Sequence, residues 1–323
     1  MSVAVSVIIP VYKVEAFIER CTRSLMAQTL KDVQFIFVDD ASPDGSMDIV
    51  RKIVREYDRN VKILVHPENK KLPAARNTGL AEAEGDFVYH CDSDDYLEPS
   101  MLERMYLAAI NTGADFVYCD YFLTFSGGGR RMGQPSYETG EQLVKEGFLS
   151  GAIKFNVWNK LVRRNLYSAF NITFPEADPM GEDMTMILLA SHAGKVAHVD
   201  TPLYHYIKDN PAAYSNNISA ERLEQIRHNV SRVSDYLSKN GEEYAPFLAY
   251  FELNNKLAFL FTGSRQDIRM WREWYPESNR YIASNKFQPL RTRLVQLFAK
   301  WHLDIPVLLY AWFINKVYYG RFK

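Results

Sequence analysis

Short apolar runs alternate with amphipathic stretches over the first 122 residues. The apolar runs predict strands at 3–9, 33–38, 61–66, 86–91 and 115–122. Helical spacing of apolar positions between them predicts helices at 14–28, 46–57, 72–83 and 101–112. Strands that are apolar almost throughout and alternate with helices are typical of a sheet covered on both faces. We therefore predict an α/β fold with a mostly parallel sheet flanked by helices.

The chain changes character after about residue 130. One helix is predicted at 138–150, and the segment up to about residue 215 is less regular. From residue 218 onward the apolar spacing is helical. We predict one α/β domain over residues 1–217 and a helical C-terminal region with a basic amphipathic tail over residues 218–323.

Composition excludes several classes of protein. The chain has 323 residues, 47% hydrophobic and 24% charged, with a net charge of −1, so no nucleic-acid partner is expected. No CxxC pair occurs among the three cysteines, which favours a reducing, cytoplasmic compartment. The apolar run at the N-terminus is too short for a signal peptide or a membrane span.

The last part of the chain is more basic than the rest. Residues 291–323 carry six basic residues and one acidic residue, and they are rich in Leu, Trp, Tyr and Phe. A basic, aromatic, amphipathic helix can lie on an anionic membrane surface. The alternative is a helix packed on the protein core with a solvated basic face. The first interpretation predicts peripheral contact with the inner face of the plasma membrane.

Polar residues follow four of the predicted strands. They are Pro10 and Tyr12, Asp39 and Asp40, His66, and Asp92 and Asp94. Ligands of open α/β sheets bind at the carboxyl ends of the strands, so we expect these side chains to line one crevice. Neither GxGxxG after the first strand nor GxxxxGK[ST] occurs, which disfavours dinucleotide and P-loop chemistry.

The motif HCDSDDYLEP at 90–99 places three aspartates within four positions. Like charges at this spacing repel each other, and a bound divalent cation would offset that repulsion. Carboxylate oxygens suit Mg²⁺ or Mn²⁺. An acidic turn at a strand end is the alternative for such a motif taken alone.

Five segments, taken together in this order and spacing, resemble the family 2 glycosyltransferases, which have the glycosyltransferase A fold. They are VSVIIPVYKVEAFIERCTRSLMAQT, FIFVDDASPDGSMDIV, LPAARNTGLAEAEGDFVYHCDSDDYLEP, WNKLVRR and GEDMTM, within residues 3–210. The resemblance implies a nucleotide-binding sheet and transfer of a sugar from a nucleotide-diphosphate donor to an acceptor hydroxyl. The family's reaction inverts the anomeric carbon.

The resemblance also implies roles on the donor side. Pro10, Tyr12 and Glu15 match residues that border the nucleotide, and Asp40 matches the aspartate that binds the base, typically uracil. Arg76 matches a basic residue near the nucleotide, where a guanidinium suits a diphosphate. Asp92 is expected near the ribose. Asp94 is expected to bind a metal ion, Mn²⁺ or Mg²⁺, that bridges the two phosphates.

The remaining matches concern the acceptor. Asp183 matches the base that takes the acceptor proton, and Glu182 is expected to orient the acceptor or its loop. Trp158 and Lys160 match the WNKL segment that lines the acceptor side, although Trp158 suits a core position equally well. His205 is a second candidate for the metal or phosphate. Relatives often carry Tyr-Arg there, whereas this chain has Tyr206 and Lys208 without the arginine.

The leading hypothesis is therefore a metal-dependent inverting glycosyltransferase that uses a UDP-sugar. It would act on a glycan or lipid-linked acceptor in surface polysaccharide synthesis. A catalytically inactive nucleotide-binding scaffold is the alternative from another class. Paired carboxylates also occur in glycoside hydrolases, which need no nucleotide.

Overall fold

The computed structural model describes residues 3–210 and 219–318 and divides them into two compact units. The first unit runs up to Leu143 and resumes from Phe155 to Asn229. The second unit contains Val144–Lys154 and the chain from Val230 onward. The predicted division at residues 217 and 218 stays a prediction, because residues 211–218 lie outside the described ranges.

The first unit is built on one mixed sheet. Its strands are β1 (Val5–Val11), β2 (Val33–Asp39), β3 (Asn60–Val65), β4 (Phe87–His90), β5 (Tyr96–Leu97), β6 (Phe116–Phe125), β7 (Gly128–Met132), β8 (Lys160–Arg163) and β9 (Val196–Ile207). Their order in the sheet is β3-β2-β1-β4-β8-β6-β9-β5, and β7 pairs with β6. The first four strands of this order are parallel to one another, whereas β8 is antiparallel to both β4 and β6.

Helices cover the parallel half as the alternating pattern predicts. They are α1 (Glu15–Met26), α2 (Ser46–Val54), α3 (Lys71–Ala81) and α4 (Met101–Thr112). Every residue of β1 and β2 is buried, as expected of central strands with both faces covered. Three shorter helices also lie in this unit: α5 (Gly140–Gln142), α6 (Asn165–Ala169) and α7 (Thr185–Ala190). The predicted mostly parallel sheet with flanking helices is confirmed.

Two glycines fit this packing. Gly113 ends α4 with a φ of 72°, a left-handed conformation that glycine adopts without a Cβ clash. Gly79 lies in α3 where that helix packs against β1, and a Cβ at Gly79 would lie 2.4 Å from Cγ2 of Ile8. The glycine therefore sets how closely the helix that carries Arg76 approaches the central strand.

All three cysteines of the chain are buried, unpaired and located in the first unit. The Sγ atoms of Cys21 and Cys91 lie 3.9 Å apart, and Cys91 directly precedes Asp92. Cys119 lies in β6, and burial raises the pKa of its thiol to about 12. The thiols of Cys91 and Cys119 behave as small apolar core groups, because burial disfavours the thiolate.

The second unit is helical, as the sequence predicts. Its helices are α8 (Ala220–Leu237), which begins in the first unit, α9 (Ala245–Lys256), α10 (Arg265–Glu273), α11 (Leu290–Lys300) and α12 (Asp304–Phe313). Lys256 is fully buried there, and its Nζ lies 2.6 to 3.1 Å from the carbonyl oxygens of Trp274 and Tyr275 and Oδ1 of Asn279. Three acceptors match the three protons of an ammonium group, so this lysine stabilises the loop after α10.

Residues 138–150, predicted as one helix, contain α5 followed by a π-helical stretch, Leu143–Leu149. Over residues 3–210 and 219–318, none of the helices combines the length and the apolar character that crossing a bilayer requires.

Candidate active site

The loops after β1 and β2 are bound to each other through Asp44. Its carboxylate accepts hydrogen bonds from the Ser42 and Ser46 hydroxyls at 2.7 and 2.6 Å and from the Glu15 backbone N–H at 3.1 Å. Burial opposes its charge, but these hydrogen bonds prevail and lower the pKa of Asp44. Glu15 Oε2 in turn accepts a hydrogen bond from the Gly45 N–H at 2.8 Å. The predicted nucleotide contact Glu15 therefore binds the neighbouring loop.

Pro10 and Tyr12 differ in their exposure. Pro10 is buried within β1, whereas Tyr12 follows the strand and is 39% exposed. Tyr12 is therefore partly accessible at the carboxyl end of β1, and its contact with a nucleotide stays a prediction.

Asp40 joins the ends of two neighbouring strands. Its Oδ1 lies 2.7 Å from Nδ1 of His66 and accepts a hydrogen bond from the Lys70 N–H at 2.8 Å. The other ring nitrogen of His66 lies 2.9 Å from the hydroxyl of Thr78 in α3. Asp40 and His66 are buried together, as the strand-end pattern predicts, and Oδ2 of Asp40 takes part in neither of these contacts.

Arg76 lies between the two acidic motifs. Its side chain is buried, with Nη2 2.9 Å from Oδ1 of Asp92 and 3.5 Å from Oε1 of Glu182. Burial disfavours the charged guanidinium, but Asp92, Glu182 and Asp183 together raise the pKa of Arg76. The buried Nε and Nη1 atoms of Arg76 have no protein partner in the described structure. Arg76 thus has two nitrogen atoms whose N–H groups are available as hydrogen-bond donors.

Asn77 has a role that sequence reasoning missed. Its side chain donates to the Phe174 carbonyl and accepts from the Phe174 N–H, both at 2.9 Å. This pair of bonds anchors the segment that leads to Glu182 directly onto α3. The ring of Phe174 lies under Arg76, with its centroid 5.6 Å from Cζ. Asn77 is part of the ARN motif, and the segment that it binds leads to the GED motif. The sequence shows both motifs, but it does not show that Asn77 joins them.

The aspartates of HCDSDDYLEP lie in different environments. Asp95 is fully buried and accepts hydrogen bonds at 2.7 Å from the Tyr204 hydroxyl and the Ile207 N–H of β9. Asp94 accepts a hydrogen bond from Nδ2 of Asn210 at 2.8 Å, and burial together with Asp92 raises the pKa of Asp94. Asp95 therefore anchors the loop, while Asp92 and Asp94 supply adjacent carboxylates.

Glu182 and Asp183 begin a short 3₁₀ turn, Glu182–Met184, after Gly181, whose φ is 90°. Burial and the neighbouring Asp183 raise the pKa of Glu182, and burial also raises the pKa of Asp183. Arg76 and Lys160 oppose the rise at Asp183, since nearby cations favour a carboxylate. A carboxyl group with a raised pKa is suited to exchange a proton near neutral pH.

Lys160 begins β8, and Trp158 lies in the segment just before this strand. Burial lowers the pKa of Lys160 to about 7, although the charge of Asp183 opposes this. Its Nζ lies 2.6 Å from the Asn156 carbonyl oxygen and 2.8 Å from Oδ1 of Asn159. Trp158 is 6% exposed and stacks on Tyr204, with the ring centroids 4.5 Å apart. One face of its indole is therefore covered by protein.

His205 lies in β9 between two aromatic rings, with centroids 4.1 Å from Tyr96 and 4.8 Å from Phe122. Its Nε2 is 2.7 Å from Oε1 of Glu98, and its Nδ1 is 3.2 Å from the Thr124 hydroxyl. Both ring nitrogens thus have protein partners, and the metal-binding role of His205 stays a prediction. In the part of the chain that the structure describes, no three His, Cys, Asp or Glu side chains are grouped so as to hold a metal ion.

Comparison with known proteins identifies a family that this chain matches. Residues 6–170 match the family model described as Glycosyl transferase family 2. The chain is 34% identical over 210 residues to the putative glycosyltransferase EpsH of Bacillus subtilis. That match covers 63% of this chain and spans 60% of the length of EpsH.

Solved structures share the fold. The structure of S. aureus TarS 1–349 in complex with UDP has a TM-score of 0.71 at 21% identity, covering 94% of this chain and 89% of TarS. TarS has also been solved with UDP-GlcNAc, at a TM-score of 0.69. The mannosyltransferase PcManGT of Pyrobaculum calidifontis, in complex with GDP-Man and Mn²⁺, has a TM-score of 0.58 at 16% identity, covering 98% and 87% of the two chains. At these identities the likeness is one of fold.

Proposed function

Because the chain belongs to glycosyl transferase family 2, we propose that it transfers a sugar, with inversion, from a UDP-sugar to an acceptor hydroxyl. The acceptor would be a glycan or a lipid-linked sugar of a surface polysaccharide. The observation that carries this proposal is the position of Arg76, whose guanidinium contacts Asp92 of the predicted donor motif and Glu182 of the predicted acceptor motif. One buried cation therefore joins the two halves of a transfer reaction.

The donor side suits a nucleoside diphosphate. Nε and Nη1 of Arg76 have no protein partner in the described structure and lie on different edges of the guanidinium, so each can donate one hydrogen bond to a phosphate oxygen. Oδ2 of Asp40 can accept a hydrogen bond from a base N–H such as that of uracil, since the contacts to His66 and Lys70 use Oδ1. TarS, which shares the fold, binds UDP and UDP-GlcNAc, which favours uridine over other bases.

A divalent cation fits the carboxylates on this side. Asp94 and Asp92 are close enough for Asp92 to raise the pKa of Asp94, and a cation beside them would relieve that repulsion. Their oxygen atoms are the ligands that Mn²⁺ and Mg²⁺ prefer, and PcManGT has been solved with Mn²⁺. When bound, the cation would neutralise charge on the departing nucleoside diphosphate.

The acceptor side supplies the base. Asp183 would accept the proton of the attacking hydroxyl as the new glycosidic bond forms and the bond to the diphosphate breaks on the opposite face. Its raised pKa is suited to this step, because a base works best with a pKa near the operating pH. Glu182, held by Arg76, would orient the loop, and Trp158 and Lys160 would line the acceptor side.

The first experiment measures thermal stabilisation by UDP, GDP, CDP and ADP, each with and without Mn²⁺. A ligand at 100 times its Kd stabilises the folded state by about 2.7 kcal/mol. We expect a Mn²⁺-dependent shift with UDP that is lost in Asp94→Asn and kept in Asp58→Asn, an exposed aspartate before β3 used as the matched control.

Donor turnover with a panel of UDP-sugars then tests catalysis. The absence of a shift with every nucleotide would overturn the donor site. Binding of UDP without hydrolysis or transfer of any donor would instead favour an inactive scaffold.

A further inference from the structure

Helices α11 and α12 of the second unit expose an apolar surface, which we call the α11–α12 surface. Its residues are Leu290, Leu294, Trp301, Leu303, Ile305, Leu309, Trp312 and Phe313, each at least 43% exposed. Ile305, Leu309 and Trp312 follow one another at spacings of four and three, which places them on one side of α12. Leu290 and Leu294 show the same spacing on α11.

This surface is distinct from the side of each helix that packs inward. Thr292, Val295, Gln296 and Ala299 of α11 are buried, and so are Val307 and Ala311 of α12. The inward positions are therefore filled by small and medium-sized side chains, while both tryptophans of this segment face outward. A helix pair packed only on the protein core would place its large apolar groups the other way round.

The chain segment that carries this surface is mostly basic. Between residues 286 and 316 the basic residues are Lys286, Arg291, Arg293, Lys300 and Lys316. The one acidic residue of this segment, Asp304, is paired with Arg272 of α10. An anionic partner is therefore favoured. Two copies of this surface placed face to face would bring like charges together, which disfavours self-association.

We propose that the α11–α12 surface binds an anionic lipid bilayer, with its apolar side chains inserted at the level of the headgroups. Exposed Trp residues flanked by Lys and Arg suit this interface, because an indole has an apolar body and one polar N–H. The helices lie in the plane of the bilayer and do not cross it. This binding is independent of the transfer reaction.

Flotation of the full chain with vesicles tests the proposal. We expect binding to vesicles of equal parts phosphatidylglycerol and phosphatidylcholine, and weaker binding to phosphatidylcholine alone. Lys286→Gln, Arg291→Gln and Lys300→Gln should each reduce the partition onto anionic vesicles about fivefold. The matched control is Lys52→Gln on α2, in the other unit.

Apolar variants separate insertion from simple charge attraction. Leu309→Ser should reduce vesicle binding about tenfold. The control variant Ile110→Ser removes an apolar group of similar exposure from α4, 52% against 62% for Leu309, and should leave binding unchanged. Thermal unfolding of each variant verifies that it is folded.

Quenching by brominated phosphatidylcholine, mixed into the anionic vesicles, locates the contact. Trp301 and Trp312 are 58% exposed, whereas Trp158, Trp271 and Trp274 are buried. Quenching should disappear in the double variant Trp301→Phe, Trp312→Phe, which should still float with the vesicles. Undiminished flotation of Leu309→Ser, or undiminished quenching in the double variant, would overturn the proposal. So would a concentration-dependent dimer that dissociates in Leu309→Ser and does not bind vesicles.

Discussion

Nη2 of Arg76 and Oδ1 of Asp92 form a partly buried contact of 2.9 Å between helix α3 and the loop after β4. The same nitrogen lies 3.5 Å from Glu182, so a single side chain balances carboxylates from two loops. These loops hold the predicted donor and acceptor residues. The stability of the fold and the arrangement of the site therefore depend on the same cation.

Replacing Arg76 tests this dependence. Arg76→Met leaves Asp92 and Glu182 without their cation, and we expect it to lower the free energy of unfolding by about 3 kcal/mol. Arg23→Met, which breaks exposed ion pairs with Glu19 and Glu56, should change it by less than about 1 kcal/mol. Denaturant unfolding measures both. Equal effects of the two substitutions would contradict the bridging role.

Arg76→Lys separates charge from geometry. A lysine keeps the positive charge but lacks the fork that binds two oxygens at once. We expect this variant to regain part of the stability lost in Arg76→Met while donor turnover stays low. Full recovery of turnover would show that only the charge of Arg76 matters.

Asp183→Asn should abolish proton acceptance without changing the size of the side chain. We expect kcat to fall by about 10² to 10⁴, the usual contribution of a general base, while stabilisation by UDP is retained. Asp58→Asn, at an exposed aspartate before β3, is the control. Unchanged turnover in Asp183→Asn would exclude this residue as the base.

The pH dependence of turnover follows from the raised pKa of Asp183. A base must be deprotonated, so kcat should rise as the pH increases through this pKa and level off above it. The acidic limb should lie above about pH 4, the ordinary range of aspartate. Because Lys160 opposes the rise of this pKa, Lys160→Met should move the limb to higher pH. The control Lys52→Met should not move the limb. A limb that stays in place in Lys160→Met would refute the coupling between Lys160 and Asp183.

Gly79→Ala tests the approach of α3 to β1. Alanine favours helix by up to about 1 kcal/mol, but its Cβ would lie 2.4 Å from Cγ2 of the buried Ile8. Overpacking of a core costs about 1 to 3 kcal/mol, so we expect net destabilisation and reduced turnover. Gly127→Ala meets no atom within 4 Å and should be nearly neutral. Thermal unfolding compares the two, and a stabilised Gly79→Ala would show that the helix can shift.

The parallel half of the sheet was predictable because its signals are local. Continuous apolar runs gave β1, β2 and β4 to within two residues, and helical spacing with Gly113 gave the end of α4. The insertion of β8 between β4 and β6 could not be predicted, since it depends on pairing between residues more than 40 positions apart. Nothing in the local pattern of 160–163 specifies its neighbours.

In the site, too, local features were predictable from the sequence and long-range contacts were not. The meeting of Asp40 and His66 follows from the rule that strand ends share one edge of a sheet. The contacts of Arg76 with Glu182 and of Asn77 with Phe174 join segments about 100 residues apart. Residue types indicate that such groups need partners, but only the packed fold shows which partners they have.

The buried thiols report on the first unit, and the tryptophans report mainly on the second. Cys21, Cys91 and Cys119 all lie in the first unit, whereas four of the five tryptophans belong to the second. A thiol-reactive dye can label these cysteines only when the first unit opens, so labelling kinetics record its opening free energy. Tryptophan emission during denaturation follows mainly the second unit. The two time courses would therefore reveal, in unmodified protein, whether the units unfold together or in sequence.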